Sequence, residues 1–150
     1  YDQAAKLALD RLNKRMTLDQ FSVAAEYLRS NDIDLRVFIL VQPPFMKADE
    51  SLYWVERSLD FVFECGASVA TLIPTRAGNG AMEILAQQGE FTPPQLNVVE
   101  AAAGYGISHR KGRVFVDLWD SGTASTACSV CHAARIERLK VMNWKCYPSL

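Results

Sequence analysis

Residues 35–44 read LRVFILVQPP, and this stretch decides the class of fold. Its apolar side chains follow one another without alternation, which is typical of a strand that is covered on both faces in a parallel α/β sheet. Pro43 and Pro44 end the strand, because proline has no N–H group to donate to a neighbouring strand. The stretch therefore predicts a buried strand over 35–42.

Helix and strand patterns alternate along the rest of the chain. Thr17 and Gln20 form a capping box, and apolar residues recur behind it at helical spacing. Gly66 and Gly89 close two later helices. The predicted elements are helices over 18–30, 52–63, 81–88, 93–105 and 128–143, and strands over 35–42, 68–74 and 113–119. The order α-β-α-β-α-α-β-α predicts an α/β fold built from a parallel-strand βα repeat.

Length and composition narrow the class of protein. The 150 residues are enough for one domain with a core and too few to expect two. The net charge of -1 gives no global attraction to nucleic acid or anionic lipid. The longest apolar run is far shorter than the roughly 20 residues that span a bilayer. We therefore expect no membrane segment. Four cysteines are too few and too unevenly spaced for a disulfide framework, so we expect a cytoplasmic protein.

Three parallel strands would make a very small sheet, and its two outer strands would be unpaired edges. Residues 1–15, YDQAAKLALDRLNKR, read like sequence that follows a strand absent from the chain. We therefore expect residues 1–150 to form a single domain that is a fragment of a larger sheet or barrel. Self-association through the exposed sheet edges is a further expectation.

Several stretches resemble one protein family, and together they extend over nearly the whole chain. They are LNKRMTLDQF (12–21), RVFILVQPPF (36–45), SLDFVFECGAS (58–68), LIPTRAGNGAMEIL (72–85), GEFTPPQL (89–96) and GRVFVDLWD (112–120). A closing C-x-x-C…R-x-x-R-L…MN pattern is carried by Cys128, Cys131, Arg135, Arg138, Leu139, Met142 and Asn143. The sequence resembles the C-terminal half of radical S-adenosylmethionine proteins, often called Fe–S oxidoreductases. Within them it is most similar to the group that contains the archaeosine-biosynthesis radical enzyme and its bacterial relatives.

The resemblance implies half of a partial, TIM-like (β/α)6 barrel followed by a C-terminal helix. In the family, three thiolates of a C-x-x-x-C-x-x-C motif bind a 4Fe–4S cluster, which cleaves S-adenosylmethionine to a 5′-deoxyadenosyl radical. This chain has no such triplet. The cluster and S-adenosylmethionine are therefore expected in the full-length parent protein, and neither is expected to bind tightly to this fragment. The implied partner is the missing N-terminal half of the same protein, and tRNA is a substrate by family analogy alone.

Polar residues follow the predicted strands at their carboxyl ends, where parallel α/β sheets bind ligands. They are Gln42, Thr75, Arg76, Asn79 and Asp120. All but Asp120 are the expected cofactor-binding residues, and no catalytic residue is assigned. Arg76 could pair with a carboxylate of the cofactor or of a substrate, and Gly78 and Gly80 would let a ligand approach the backbone. A solvated turn and a glutamine that caps a strand end explain the same residues without a ligand.

Aromatic and basic residues add two weaker candidates. Phe45, Tyr53 and Trp54 could wall a pocket for adenine or substrate, although such residues more often belong to a partly buried core. Residues 109–113, HRKGR, form a short basic run that could contact phosphate, including that of tRNA. Short basic loops are usually solvated, so the run does not by itself indicate a nucleic-acid site.

Residues 128–132 read CSVCH, which matches the haem attachment pattern with His132 as an axial ligand. The α/β pattern and the cytoplasmic composition argue against haem. A metal site at Cys128 and Cys131 would need two more ligands, which Cys146 and a histidine could supply. A redox dithiol lacks thioredoxin-like flanks, and the commonest interpretation is a thiol pair that begins the last helix.

Two functions follow from these observations. In the first, the chain is the cofactor-flanking and substrate-facing part of a radical S-adenosylmethionine enzyme and is inactive alone. In the second, it is a self-standing α/β module that binds a ligand or a metal, using Cys128 and Cys131. A C-x-x-x-C-x-x-C triplet upstream of Tyr1 would distinguish the first from the second.

Overall fold

Three parallel strands form one sheet in the computed structural model, which describes residues 16–78, 80–119 and 129–145. In sheet order they are β1 (Arg36–Val41), β2 (Val69–Pro74) and β3 (Arg113–Val116). Each strand pairs with the next along the chain, and each crossover carries helix. The predicted α/β fold of parallel βα units is confirmed, and the sheet is open rather than closed into a barrel in the part of the chain that the structure describes.

Five helices accompany the strands in the described residues. They are α1 (Leu18–Ser30), α2 (Ser51–Glu64), α3 (Ala81–Gln87), α4 (Leu96–His109) and α5 (Ser129–Lys145). A 3-10 turn, Ala48–Glu50, leads directly into α2. The element order is the one that the sequence pattern predicts. Within the described ranges, no helix combines the length and apolar character needed to cross a membrane.

Local signals place two helix ends where the sequence predicts them. Thr17 Oγ1 accepts a hydrogen bond from the Gln20 N–H, while the Gln20 side chain accepts one from the Thr17 N–H. The predicted capping box is therefore formed at the start of α1. Gly66, just past α2, has φ +90°, a conformation that only glycine adopts without strain.

Three predicted boundaries are wrong by three residues or more, and one of them is the end of α4, which lies at His109 and not at 105. Helix α4 begins at Leu96 and not at 93, because Thr92 is held by Gln42 and the backbone is still extended at Gln95. Strand β3 ends at Val116 and not at 119. The Asp117 carboxylate accepts a hydrogen bond from the Trp119 N–H, and this local turn ends the strand.

The core lies on one face of the sheet, here called the covered face. On this face the strands contribute Ile39, Val41, Ala70, Leu72, Val114 and Val116, all of which belong to the core. Helices α2, α4 and α5 supply the opposing side chains, including Leu59, Val99, Leu139 and Met142. The approach is close at Gly106 of α4, where an added Cβ would lie 2.7 Å from Val114 and 3.2 Å from Leu59.

The opposite side, here called the open face, presents Arg36, Phe38, Leu40, Val69, Thr71, Ile73, Arg113 and Phe115. Phe38 is 64% exposed and Leu40 is 40% exposed. The prediction that the 35–42 strand is covered on both faces is therefore wrong for the described residues. The reason is topological, because both crossovers place their helices against the same side of the sheet.

Helix α5 is attached to the sheet and to α4 by polar contacts. Arg135 and Arg138 both form ion pairs with Glu100 of α4. The Asn143 amide makes two hydrogen bonds with Val116, accepting from its N–H (2.8 Å) and donating to its carbonyl (2.9 Å). Because the backbone N–H and carbonyl of Val116 face away from β2, Asn143 takes the place of a neighbouring strand there.

We expect Asn143→Ala to lower the free energy of unfolding by about 1–3 kcal/mol, because it leaves the Val116 N–H and carbonyl without partners. Urea denaturation of the two proteins measures the difference. Asn97→Ala, at an exposed position of α4, is the matched control and should change stability little. An equal loss in both variants would contradict the assigned role of Asn143.

The two glycines of α4 give a second test. Gly106→Ala should lower the free energy of unfolding by about 1–3 kcal/mol, because its methyl group overlaps Val114. Gly104→Ala adds a methyl group with no atom within 4 Å and should stabilise the helix by about 0.5–1 kcal/mol. Thermal denaturation should therefore shift in opposite directions, and a shared direction would show that α4 does not pack on β3 as described.

Candidate functional site

The carboxyl ends of the three strands form a rim along one edge of the sheet. Val41 pairs with Pro74, and Leu72 pairs with Val116, so the loops that follow β1, β2 and β3 lie side by side. Among the predicted site residues, Gln42 begins the loop after β1, and Thr75 and Arg76 begin the loop after β2. The structure therefore brings them to the same edge, as the parallel arrangement requires.

Gln42 joins two segments of this rim. Its side chain is buried, and its Nε2 donates to the carbonyl (2.7 Å) and the Oγ1 (2.9 Å) of Thr92. A third bond runs from the Phe45 N–H to the Glu90 carbonyl (2.8 Å). Gln42 and Phe45 both have positive φ angles, +53° and +69°, which cost about 1–3 kcal/mol each for residues other than glycine. The hydrogen bonds to Glu90 and Thr92 hold this strained loop in place.

Thr75 and Arg76 also bond within the chain. The Thr75 N–H and hydroxyl both donate to the Val41 carbonyl, at 3.1 and 2.8 Å, and so extend the pairing of β1 with β2. The Arg76 guanidinium lies 2.5 Å from the carboxylate of Asp117, at the end of β3. Both side chains of this pair keep partial exposure, 24% and 31%. The carboxylate beside Arg76 is thus supplied by the protein, while both charges are still accessible to a ligand.

Sequence reasoning missed Asp117 and Thr92 as members of the rim. It assigned Asp117 to the interior of a longer strand and placed the rim carboxylate at Asp120. The signal that could have located Asp117 is its spacing from Trp119, because an aspartate often bonds the N–H two residues ahead at the end of a strand. Thr92 carries no comparable signal, since only the tertiary fold brings it to Gln42.

Two further predicted residues, Asn79 and Asp120, lie outside the residues that the structure describes. Next to Asn79, the Gly78 N–H donates to Glu83 Oε1 at 2.6 Å, which ties the loop after β2 to the start of α3. Gly78 and Gly80 have φ angles of +119° and +78°, which favour glycine. The assignment of Gln42, Thr75, Arg76 and Asn79 to cofactor binding stays a prediction.

Of the aromatic candidates, Phe45 lies in the loop after β1, and Tyr53 and Trp54 lie in the first turn of α2. Phe45 and Trp54 are half-buried, and Tyr53 is exposed. The rings of Tyr53 and Trp54 meet edge to face at 5.1 Å, and Arg57 lies over Tyr53 at 6.0 Å. They are neither a fully buried cluster nor a closed pocket wall, so their role in binding stays a prediction.

The basic run 109–113 lies at the amino end of β3, opposite the rim. His109 Nδ1 is 2.8 Å from the Tyr105 carbonyl, and Lys111 is 3.7 Å from the Asp60 carboxylate. Tyr105 donates to Asp60 as well, and burial together with this hydrogen bond raises the pKa of Tyr105. Two members of the run are therefore bonded within the helical layer, and the run is not part of the rim.

The thiols do not assemble a metal site in the described part of the chain. Within residues 16–78, 80–119 and 129–145, no group of three histidine, cysteine, aspartate or glutamate side chains could hold a metal ion. Cys131 is exposed in the first turn of α5. The Nε2 atom of the neighbouring His132 is buried and has no hydrogen-bond partner among the described residues. Cys128 and Cys146 lie outside the described residues, so a metal site at Cys128 and Cys131 stays a prediction. The described residues do not fit a 4Fe–4S cluster.

Comparison with known proteins gives two distant relatives. An uncharacterized protein of Methanocaldococcus jannaschii is 24% identical over an alignment length of 150 residues, and the alignment covers 90% of this chain and 41% of the relative. Archaeosine synthase subunit beta of Methanosarcina acetivorans is 20% identical over 141 residues, covering 92% of this chain and 41% of the relative. The chain thus spans less than half the length of both. No protein-family model matches it, and no solved structure does.

The strained position of Gln42 gives a third testable prediction. Gln42→Ala and Gln42→Gly should both be destabilised by about 1–3 kcal/mol, because both lose the bonds to Thr92. The glycine variant should be the more stable of the two by about 1 kcal/mol, since glycine adopts φ +53° without strain. At the control position Gln88, where φ is -81°, the alanine variant should instead be the more stable. Urea denaturation measures the stability of all four variants. If the alanine variant is more stable than the glycine variant at both positions, the assigned strain at Gln42 is contradicted.

Proposed function

We propose that this chain forms one wall of the binding chamber of a radical S-adenosylmethionine iron–sulfur enzyme related to archaeosine synthase. In this proposal the cluster-binding cysteines belong to a part of the protein outside these 150 residues. The wall contributes its rim to the cofactor and to the substrate. The observation that carries the proposal is the similarity to archaeosine synthase subunit beta, which extends over 92% of the chain.

The motifs that resemble the radical S-adenosylmethionine family support the proposal, because several of them coincide with structural contacts. The R-x-x-R motif supplies Arg135 and Arg138, which both bind Glu100. The closing asparagine, Asn143, bonds the edge of β3. These residues attach the last helix to the sheet, so we expect the parent protein to keep the same arrangement.

The open sheet also supports the proposal. All its described helical cover lies on one side, and its other side is an apolar face with a polar rim. Half of a barrel has this arrangement, with helices outside and a lumen that faces the missing strands. In a barrel the rim residues would surround a ligand held above the lumen.

Each rim residue has a defined task in this proposal. Gln42 keeps the strained loop after β1 against Thr92 and so shapes the entrance of the chamber. Arg76 and Asp117 present one positive and one negative charge together, a pair complementary to the carboxylate and ammonium groups of an amino acid. The described residues supply no cluster ligand set, and so this wall binds and orients molecules while the remainder of the protein performs the electron transfer.

Substrate, partner and location are proposed more broadly. The relative is named for archaeosine synthesis, and a tRNA substrate follows only from that analogy. The partner is the N-terminal half of the same polypeptide, and the cytoplasm is the expected compartment. The isolated chain should bind neither S-adenosylmethionine nor a cluster tightly.

Expression of the complete reading frame tests the function. We expect a C-x-x-x-C-x-x-C triplet in the added sequence, and a purified protein that, after anaerobic reconstitution and reduction, converts S-adenosylmethionine to methionine and 5′-deoxyadenosine. Arg76→Ala should raise the KM for S-adenosylmethionine or for the substrate more than it lowers kcat, because it removes a binding charge. Liquid chromatography of the products measures both.

Replacement of one cysteine of the triplet by serine is the control and should abolish 5′-deoxyadenosine formation. A reading frame without the triplet would contradict the proposal. Stoichiometric metal bound to the 150-residue chain, and lost in Cys131→Ser, would instead favour the self-standing metal-binding module.

A further inference from the structure

The open face carries a distinct distribution of charge. Its middle is apolar, with Phe38 and Leu40 exposed and Phe115 half-buried along the strands. At the amino ends of the strands, Arg36 of β1 and Arg113 of β3 flank Val69 at the same level. No acidic side chain lies among the strand residues of this face. The strand residues of the face are therefore apolar with two cations at one end, where Asp34, just before β1, lines a groove with Val69 and Arg113.

Neither arginine has a carboxylate partner in the described part of the chain. Arg36 donates from Nε and Nη2 to Thr71 Oγ1, at 3.2 and 3.0 Å, and its guanidinium lies 5.2 Å from the Phe38 ring centre. Arg113 forms none of the ion pairs found among the described residues. Both side chains are exposed.

A groove of about 600 Å³ continues the open face beyond β3. It is lined by Arg113 and Phe115 of the sheet, and by Asn143, Trp144 and Lys145 at the end of α5. Trp144 is 90% exposed. The groove repeats the combination found on the face, because it sets aromatic rings beside cations.

These features restrict what can cover the face. Burying Phe38 and Phe115 is favourable, but burying an arginine without a carboxylate costs several kcal/mol. A covering element must therefore be apolar where it meets the rings and acidic where it meets Arg36 and Arg113. The strand residues of a second copy of this face offer no carboxylate to Arg36 and Arg113, so packing of two copies face to face would leave these charges unpaired.

We propose that the open face binds an acidic, apolar segment of the same polypeptide, whose carboxylates pair with Arg36 and Arg113. This inference rests on the proposed function, which places more of the protein beside this wall. The outer edge of β1 fits the same occupant. The carbonyls of Leu35 and Val41 bond towards β2, so the backbone groups of the alternate residues 36, 38 and 40 point away from it, where a further strand can pair.

Zero-length cross-linking of the complete protein tests the proposal. Arg36→Lys and Arg113→Lys place amines that a carbodiimide joins only to carboxylates in direct contact. We expect the amine introduced by each variant to form an isopeptide bond with an aspartate or glutamate outside residues 1–150, identified by mass spectrometry. Changing that acid to its amide should abolish the cross-linked peptide.

Two internal controls calibrate the chemistry. Arg57→Lys should couple to Asp60, because Arg57 and Asp60 form an ion pair at 2.7 Å. The native Lys47, which is exposed and away from the open face, should couple much less. Mixing isotope-labelled and unlabelled protein separates bonds within one chain from bonds between two copies.

Several outcomes would overturn the proposal. One is coupling at position 36 of the Arg36→Lys variant that is no greater than coupling at Lys47, and another is coupling that occurs only between copies. A reading frame with no additional segment would also overturn it. So would protection of Arg36 and Arg113 from phenylglyoxal by RNA but not by the rest of the protein. The readout does not depend on activity. A protein that cross-links as expected and forms no 5′-deoxyadenosine would overturn the proposed function alone.

Discussion

The packing of α2, α4 and α5 against a single face of the sheet is the interaction on which the rest of the structure depends. Gly106 lets α4 approach both β3 and α2 closely, because an added Cβ there would lie 2.7 Å from Val114 and 3.2 Å from Leu59. Both crossovers lie on one side because the three parallel strands are neighbours in chain order and such crossovers are right-handed. The other face has no described helix over it, and its exposed phenylalanine and leucine follow directly from that asymmetry.

The two edges of the sheet differ in the same way. At β3, Asn143 bonds the outward-facing N–H and carbonyl of Val116, and so blunts the edge without a strand. At β1, no described strand or side-chain amide takes that position. Among the described residues, the β3 edge is thus capped at Val116, while the β1 edge is uncapped.

The rim is held together by internal bonds. Gln42 donates its amide hydrogens to Thr92, Thr75 bonds Val41, and Arg76 pairs with Asp117. Strain at Gln42 and Phe45 persists because these contacts hold the loop. The predicted rim residues that are described, Gln42, Thr75 and Arg76, shape the loops through internal bonds, and Arg76 with Asp117 also offers charges that a ligand can reach.

The sequence by itself determined the α/β class, the strand order along the chain, the capping box at Thr17 and the placement of Gln42, Thr75 and Arg76 at strand ends. These depend on local spacing and backbone preference, which short stretches record. It did not determine that 35–42 is exposed on one face, that Thr92 and Asp117 join the rim, or that Asn143 closes β3. Only the tertiary structure decided these, because each depends on how segments far apart in the chain pack together, and local patterns carry no information about such partners.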